Sequence, residues 1–203
     1  MDEGREDVQD WIRSRVWSGY YDPDEVFDII EAEVSESDDE DETWLRGAIQ
    51  REFRKKRRAE RAWPRITDCD RLDRVFETLH GQGILAQHRC GYTQQDGLEV
   101  VDGLYEEAGG QRSAFVGYCL YILQDMEAAL WGDVGLWLAF GSFSRSSEHG
   151  IEVGRIIREE AERAGFQVVW DGTIASRPLL KGFRWQRRSP VAGRGAAADR
   201  GDR

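Results

Sequence analysis

The chain has 203 residues, 33% of them charged and 40% hydrophobic, and a formal net charge of −11. That length suits one domain of ordinary size with extra segments, and a core that needs neither disulfide nor metal. No run of about 18 apolar residues occurs, so no transmembrane helix is expected; the acidic start MDEGREDVQD lacks the apolar stretch of a signal peptide, which points to the cytoplasm.

Charge is unevenly distributed. Residues 1–43 carry 3 basic and 17 acidic side chains, whereas residues 44–65 carry 9 basic and 2 acidic. Such asymmetry marks regions that meet each other or a partner.

The first segment reads as a helix, with Val8, Trp11, Ile12 and Val16 on one face. Asp22-Pro23-Asp24-Glu25 starts a second: Asp as N-cap, Pro at the first position, Glu at the third. Val26, Phe27, Ile30 and Val34 form its apolar stripe. SESDDEDE then reads as a solvated acidic linker. Residues 1–42 are expected to form an acidic helical extension and linker, able to meet a protein partner or a second copy of the chain.

Thr43 caps the next predicted helix, whose buried stripe is Trp44, Ala48, Ile49 and Phe53 and which ends in RKKRRAERAW before Pro64. It carries no known nucleic-acid reading motif and belongs to an acidic protein, so nucleic-acid binding is not expected. Residues 43–188 are expected to be a single α+β domain led by this basic helix, and residues 189–203 a disordered tail.

From Thr67 the pattern becomes regular. Leu72, Val75, Phe76 and Leu79 define an amphipathic helix ended by Gly81. Residues 83–88 read as a strand. Thr93 and Asp96 have capping-box spacing and open a helix to about Ala108, with Leu98, Val101, Leu104 and Tyr105 inward and with Gly97 and Gly103 marking weakness or close packing. Strand 114–123, a short helix 125–131 and strand 134–140 follow. Ile151, Ile156, Ile157 and Ala161 describe another helix; 166–170 is a strand, Asp171-Gly172 a turn, and 173–183 a last strand bent at Pro178. The order from Gly83 is βαββαβ. It predicts an α+β, two-layer fold whose mostly antiparallel sheet has ferredoxin-like order, with extra helices at the N-terminus. A doubly wound parallel sheet is the alternative, but no Gly-rich phosphate loop is present.

Three polar clusters sit at predicted strand ends. Tyr92, Thr93 and Asp96 form either a helix cap or an anion site at a helix start. Gln124, Asp125 and Glu127 form either a helix start or an acid–base pair, although acids two positions apart on a helix point to different faces. Asp171, with Arg184 and Trp185, forms either a hairpin turn and sheet edge or a carboxylate-binding corner. No cofactor loop and no metal-ligand spacing occurs, so no cofactor and no metal are expected; Cys69, Cys90 and Cys119 form no C-x-x-C pair. No G-x-S-x-G elbow exists; GSFSR at 141–145 comes nearest and does not match.

The strings WPRITDCDRLDRVF, a GI pair followed by GYTQQDG, QDMEAALWGDVGLWLAFG, and VGR, VVWDG and GFRWQRR in that order resemble an uncharacterised bacterial family, domain of unknown function 6891. The resemblance covers about residues 44–188 and leaves the acidic extension outside. It implies a bacterial cytoplasmic protein and brings no activity with it. It also implies a His two residues before the Gln–Asp pair, where this chain has Ile122. Together these features favour a non-catalytic binding or interaction module, of inhibitor or immunity type in one form. The rival is a small-molecule enzyme or ligand sensor, which requires Tyr92, Gln124, Asp125 and Arg184 to converge on one pocket.

Overall fold

The computed structural model describes residues 3–34, 39–144 and 146–190. The chain divides into two compact units, residues 1–67 with 186–203, and residues 68–185. The division falls after Thr67, not after Glu42, so the basic helix groups with the N-terminal helices.

The first unit contains α1 (Glu3–Ser18), α2 (Pro23–Glu33) and α3 (Asp39–Glu60). Its core joins Ile12 and Val16 of α1 to Val26, Phe27 and Ile30 of α2 and to Leu45, Ile49 and Phe53 of α3. Asp22 caps α2 as expected: its Oδ1 accepts the N–H groups of Asp24 and Glu25 at 2.9 Å, and Glu25 Oε2 accepts the Asp22 N–H at 2.7 Å. Two expectations fail here. Trp11 is 42% exposed, and Val8, Ile12 and Val16 carry the inner line of α1, with Trp17 packed beside them. Residues 39–42 of the expected acidic linker belong to α3, and its remainder, 35–38, lies outside the described residues. Acidic residues are favourable at the positive end of the helix dipole, and this offsets their mutual repulsion.

Lys56 is fully buried and donates from Nζ to the Val16 carbonyl at 3.0 Å, satisfying one of the carbonyls left open at the end of α1. Residues 186–190 return to this unit. Ser189 donates through N–H and Oγ to Glu60 Oε1 at 2.8 and 3.0 Å, and Arg188 donates to the Pro64 carbonyl at 2.7 Å. Gly19, at φ +82°, leaves no room for a side chain against the Arg187 backbone and stem. The expected disordered tail therefore does not begin at Ser189; its remainder, 191–203, lies outside the described residues.

The second unit is α+β, with α4 (Asp68–Gly81), β1 (Ile84–Gln87), α5 (Gln94–Glu107), β2 (Gly117–Leu120), α6 (Leu123–Trp131), β3 (Gly135–Trp137), β4 (Ala139–Ser142), α7 (Ser147–Arg163), β5 (Gln167–Val169) and β6 (Leu179–Lys181). Leu72, Val75, Phe76 and Leu79 of α4 are buried as their spacing predicts. Of the four residues expected inward on α5, only Val101 is fully buried. Tyr105 stacks on Phe143 with ring centroids 3.8 Å apart.

Three of the four strand pairings are antiparallel, yet the ferredoxin-like sheet does not form. The strands make two three-stranded sheets, β1-β2-β4 and β3-β6-β5. β1 and β2 are direct parallel neighbours joined through α5, whereas a split βαβ layer would place another strand between them. The chain is divided at Leu138: the run expected as one strand becomes β3 and β4, and the buried Leu138 donates its N–H to the Pro178 carbonyl at 2.9 Å. Gly135, at φ +128°, lets β3 lie against β6 where a Cβ would meet the Leu180 carbonyl. The last predicted strand shrinks to β6, and 173–178 is a loop.

Candidate functional site

The first two polar clusters meet at the carboxyl ends of the parallel strands β1 and β2. Cys90 N–H donates to the Tyr121 carbonyl at 2.9 Å, and Leu123 N–H donates to the Gly91 carbonyl at 3.0 Å. These bonds place the starts of α5 and α6 side by side, with Tyr92 (52% exposed) and Gln124 on the outside. Thr93 and Asp96 close a capping box: Thr93 Oγ1 accepts the Asp96 N–H at 3.3 Å, and Asp96 Oδ2 accepts the Thr93 N–H at 2.8 Å. Hydrogen bonds from the Thr93 backbone and then its hydroxyl hold the Asp96 carboxyl below its ordinary range.

Asp125 is buried at the third position of α6. Its Oδ2 accepts the Ile122 N–H at 3.4 Å and pairs with the Arg177 guanidinium, whose Nε donates to the Leu138 carbonyl at 3.4 Å. Asp125 therefore fastens the start of α6 to the loop before β6. Glu127, two positions on, is partly exposed.

The third cluster separates. Asp171 Oδ1 accepts from the Ser176 hydroxyl and from both the N–H and the hydroxyl of Thr173, each at 2.8 Å. Those bonds, Ser176 first, lower its carboxyl below the ordinary range. Arg184 is exposed and its backbone N–H donates to Asp68 Oδ2 at 3.0 Å; Trp185 is buried with its edge against Tyr121, ring centroids 5.6 Å apart. The cation on Asp125 is Arg177, not Arg184.

Two further groupings were not singled out by spacing. His88 Nδ1 lies 3.1 Å from the Tyr121 hydroxyl and its Nε2 lies 3.5 Å from Asp73 Oδ1, with Phe76 stacked on the imidazole at 4.4 Å. A carboxylate–imidazole–phenol chain of this kind passes protons, but Tyr121 is fully buried, out of reach of a solute. Ser144 Oγ lies 2.9 Å from His149 Nδ1 and 2.8 Å from Ser142 Oγ. Among the described residues no carboxylate pairs with His149, so the acid that orients a nucleophilic Ser–His pair is missing. No group of His, Cys, Asp and Glu among the described residues is placed to hold a metal ion, and no helix among them is long and apolar enough to cross a membrane.

A further group of exposed charges lies on α3. Arg51, Arg54, Arg57 and Arg58 are exposed, and Arg61 continues the same line past the helix end. Among the described residues none of these five forms an ion pair, in contrast to Arg46 with Glu42 and Lys55 with Glu52. Positions 51, 54, 58 and 61 are spaced three, four and three apart, one stripe of a helix. Beside the stripe, α1 and α3 enclose a groove of about 310 Å³ with Asp10, Arg13, Trp17 and Glu52 in its walls. Glu52 accepts from the Trp17 indole and from Lys55, both at 2.7 Å. Burial pushes its carboxyl up, but the bonds from Lys55 and Trp17 outweigh that and hold it below its ordinary value.

The family model described as Domain of unknown function (DUF6891) matches residues 1–189. The chain belongs to this family. The match begins at the first residue, so the family domain includes α1, α2 and the acidic start of α3, which the motif resemblance over 44–188 had left outside. No curated protein and no solved structure matches the chain. The DUF6891 domain thus contains both units described above, and the arginine stripe lies within it.

Proposed function

We propose that this DUF6891 protein is a non-catalytic interaction module of the bacterial cytoplasm, and that the arginine face of α3 is where a protein partner docks. The observation that carries the reading is the contrast between two sets of polar residues. Asp96, Asp125 and Asp171 each have their carboxylates occupied by local caps, a turn or Arg177. Arg51, Arg54, Arg57, Arg58 and Arg61 have no carboxylate partner among the described residues. Guanidinium groups favour planar, bidentate contact with carboxylates. One form of the module is an inhibitor- or immunity-like protein, in which the acidic start of the chain also meets a basic effector. Affinity capture with the wild-type chain and with Arg51→Glu/Arg54→Glu/Arg58→Glu tests it. The reading expects a partner that the wild type retains and the variant loses; no partner, together with turnover of a small substrate, rejects it.

A second reading, a small-molecule enzyme or sensor, draws on the juxtaposition of Tyr92 and Gln124 at the carboxyl ends of β1 and β2, where ligands bind in open α/β sheets. The engagement of Asp125 by Arg177 weighs against a free general base there. A melting shift on adding a small polar compound, abolished by Tyr92→Ala with Gln124→Ala, would favour this reading over the first.

A further inference from the structure

We infer that the partner of the α3 arginine face presents a short acidic segment, one of whose aliphatic side chains enters the groove between α1 and α3. The inference rests on the reading of this face as a docking surface and names the chemistry of what docks. All the residues involved belong to the helical unit. There α1 and α3 run side by side in the same direction: the Arg5 guanidinium lies 5.2 Å from the Trp44 ring centroid, Trp17 donates to Glu52, and Lys56 donates to the Val16 carbonyl. Arg51 links the two features of this surface. It lines the groove and begins the stripe that continues through Arg54, Arg58 and Arg61.

The groove, of about 310 Å³, is large enough to take a side chain or a small ligand. Ile12 and Ala48 are core residues, so they form its apolar floor, with Trp17 beside them. Its walls carry Arg13 on α1 and Arg51 and Lys55 on α3, against Asp10 and Glu52. Glu52 is already engaged, accepting from the Trp17 indole and from Lys55 at 2.7 Å each, and these bonds hold the Trp17 wall in place. The groove is thus preformed, and an aliphatic side chain entering it removes apolar surface from water without rearranging the helices.

The charge beside the groove selects what flanks that side chain. At helical spacing Arg51, Lys55 and Arg58 follow one another along the groove side of α3, and Arg54 and Arg61 stand in the next row. Arg51 and Arg58 are about 10 Å apart along the axis, a distance that about three extended residues span. Carboxylates on a segment lying there meet guanidinium groups that have no carboxylate partner among the described residues. A polynucleotide matches the surface less well. It carries phosphates past Asp10, which forms no ion pair among the described residues, and it brings no aliphatic side chain to the floor of Ile12 and Ala48.

Fluorescence anisotropy of labelled probes titrated with the full chain, at about 50 and about 500 mM salt, tests the inference. The probes are glutamate-rich peptides with a leucine at either end, the same peptides with serine in place of leucine, lysine-rich peptides with the leucine, and an oligothymidylate. A leucine–glutamate probe should bind, at least tenfold more weakly at high salt and at least tenfold more weakly with serine; the lysine-rich peptides should not bind. Arg51→Gln/Arg58→Gln should lower its affinity at least tenfold while circular dichroism and melting stay those of the wild type. Arg112→Gln/Arg184→Gln, an equal loss of charge at exposed positions of the second unit, should leave binding unchanged. Failure of every glutamate probe overturns the inference, and so does equal binding of the leucine and serine forms, which leaves the groove without a part. If the peptides fail but the wild type captures a protein that arginine reversal releases, the face remains a docking surface and only the acidic-segment chemistry falls. Oligothymidylate bound more tightly than the peptides, and released by the arginine substitutions, makes the partner a nucleic acid and overturns both the inference and the reading beneath it.

Discussion

Asp125 and Arg177, separated by 52 positions in sequence, form an ion pair in which the aspartate side chain is 9% exposed and the arginine side chain 27%. Removing the cation strands a nearly buried charge. Arg177→Ala is expected to destabilise the second unit by about 2–4 kcal/mol, at the lower end because water still reaches the arginine. Arg177→Lys keeps the charge, loses the Nε–H bond to Leu138, and should cost about 1 kcal/mol. Urea denaturation of the variants checks both; an Arg177→Ala loss below about 0.5 kcal/mol would show that the pair is a surface contact.

Two glycines of α5 should respond with opposite signs. A Cβ on Gly97 would lie 2.6 Å from the Cys90 carbonyl oxygen and 3.1 Å from Ile122 Cγ2, so Gly97→Ala must push the start of α5 away from the loop that follows β1. It should destabilise by about 1–3 kcal/mol in spite of better helix propensity. Gly103→Ala meets nothing and should gain up to about 1 kcal/mol. Thermal melts of the two variants, side by side, report the difference.

Lys56 predicts the behaviour of the helical unit. Its ammonium is sealed from solvent and bonded to the Val16 carbonyl. Lys56→Met keeps the length of the side chain and leaves the Val16 carbonyl with only the longer bond from the Gly19 N–H, at 3.3 Å. A loss of about 1–3 kcal/mol is expected, detected as earlier unfolding of the helices by far-ultraviolet circular dichroism.

These contacts separate what the sequence makes legible from what it does not. The Asp22 cap is readable because its determinants lie within four residues, and α4 because its four core positions repeat at helical spacing. The caution about Gly97 as a close-packing site is met by the Cys90 carbonyl. By contrast, nothing near Leu138 announces that its strand will divide between two sheets; the deciding bond goes to Pro178. Arg177 and His88 acquire their partners only through chain reversal, so no local spacing points to Asp125 or Tyr121. The early start of α3 is not legible because a block of like charges reads as solvated chain, whereas the helix dipole favours acidic residues at its first turn.

The acid limb of stability should contain a contribution from Glu52. Its folded carboxyl titrates below the ordinary value of 4.5, so its contribution is fully present above that value and is lost as the pH falls through the lowered one. Glu52→Gln should flatten the pH dependence of unfolding below about pH 4.5 and leave the slope between pH 6 and 8 unchanged. Unfolding free energies measured at several acidic pH values decide it, and an unaltered acid slope would remove Glu52 from the account.

The most direct test of α3 as the working face is hydrogen exchange of the full chain with and without its bound partner, whether an acidic peptide or a captured protein. Slowed exchange over residues 46–61, with 90–97 and 122–127 unchanged, is the predicted pattern. Protection at 90–97 and 122–127, with 46–61 unaffected, would contradict it and move the site to the carboxyl ends of β1 and β2.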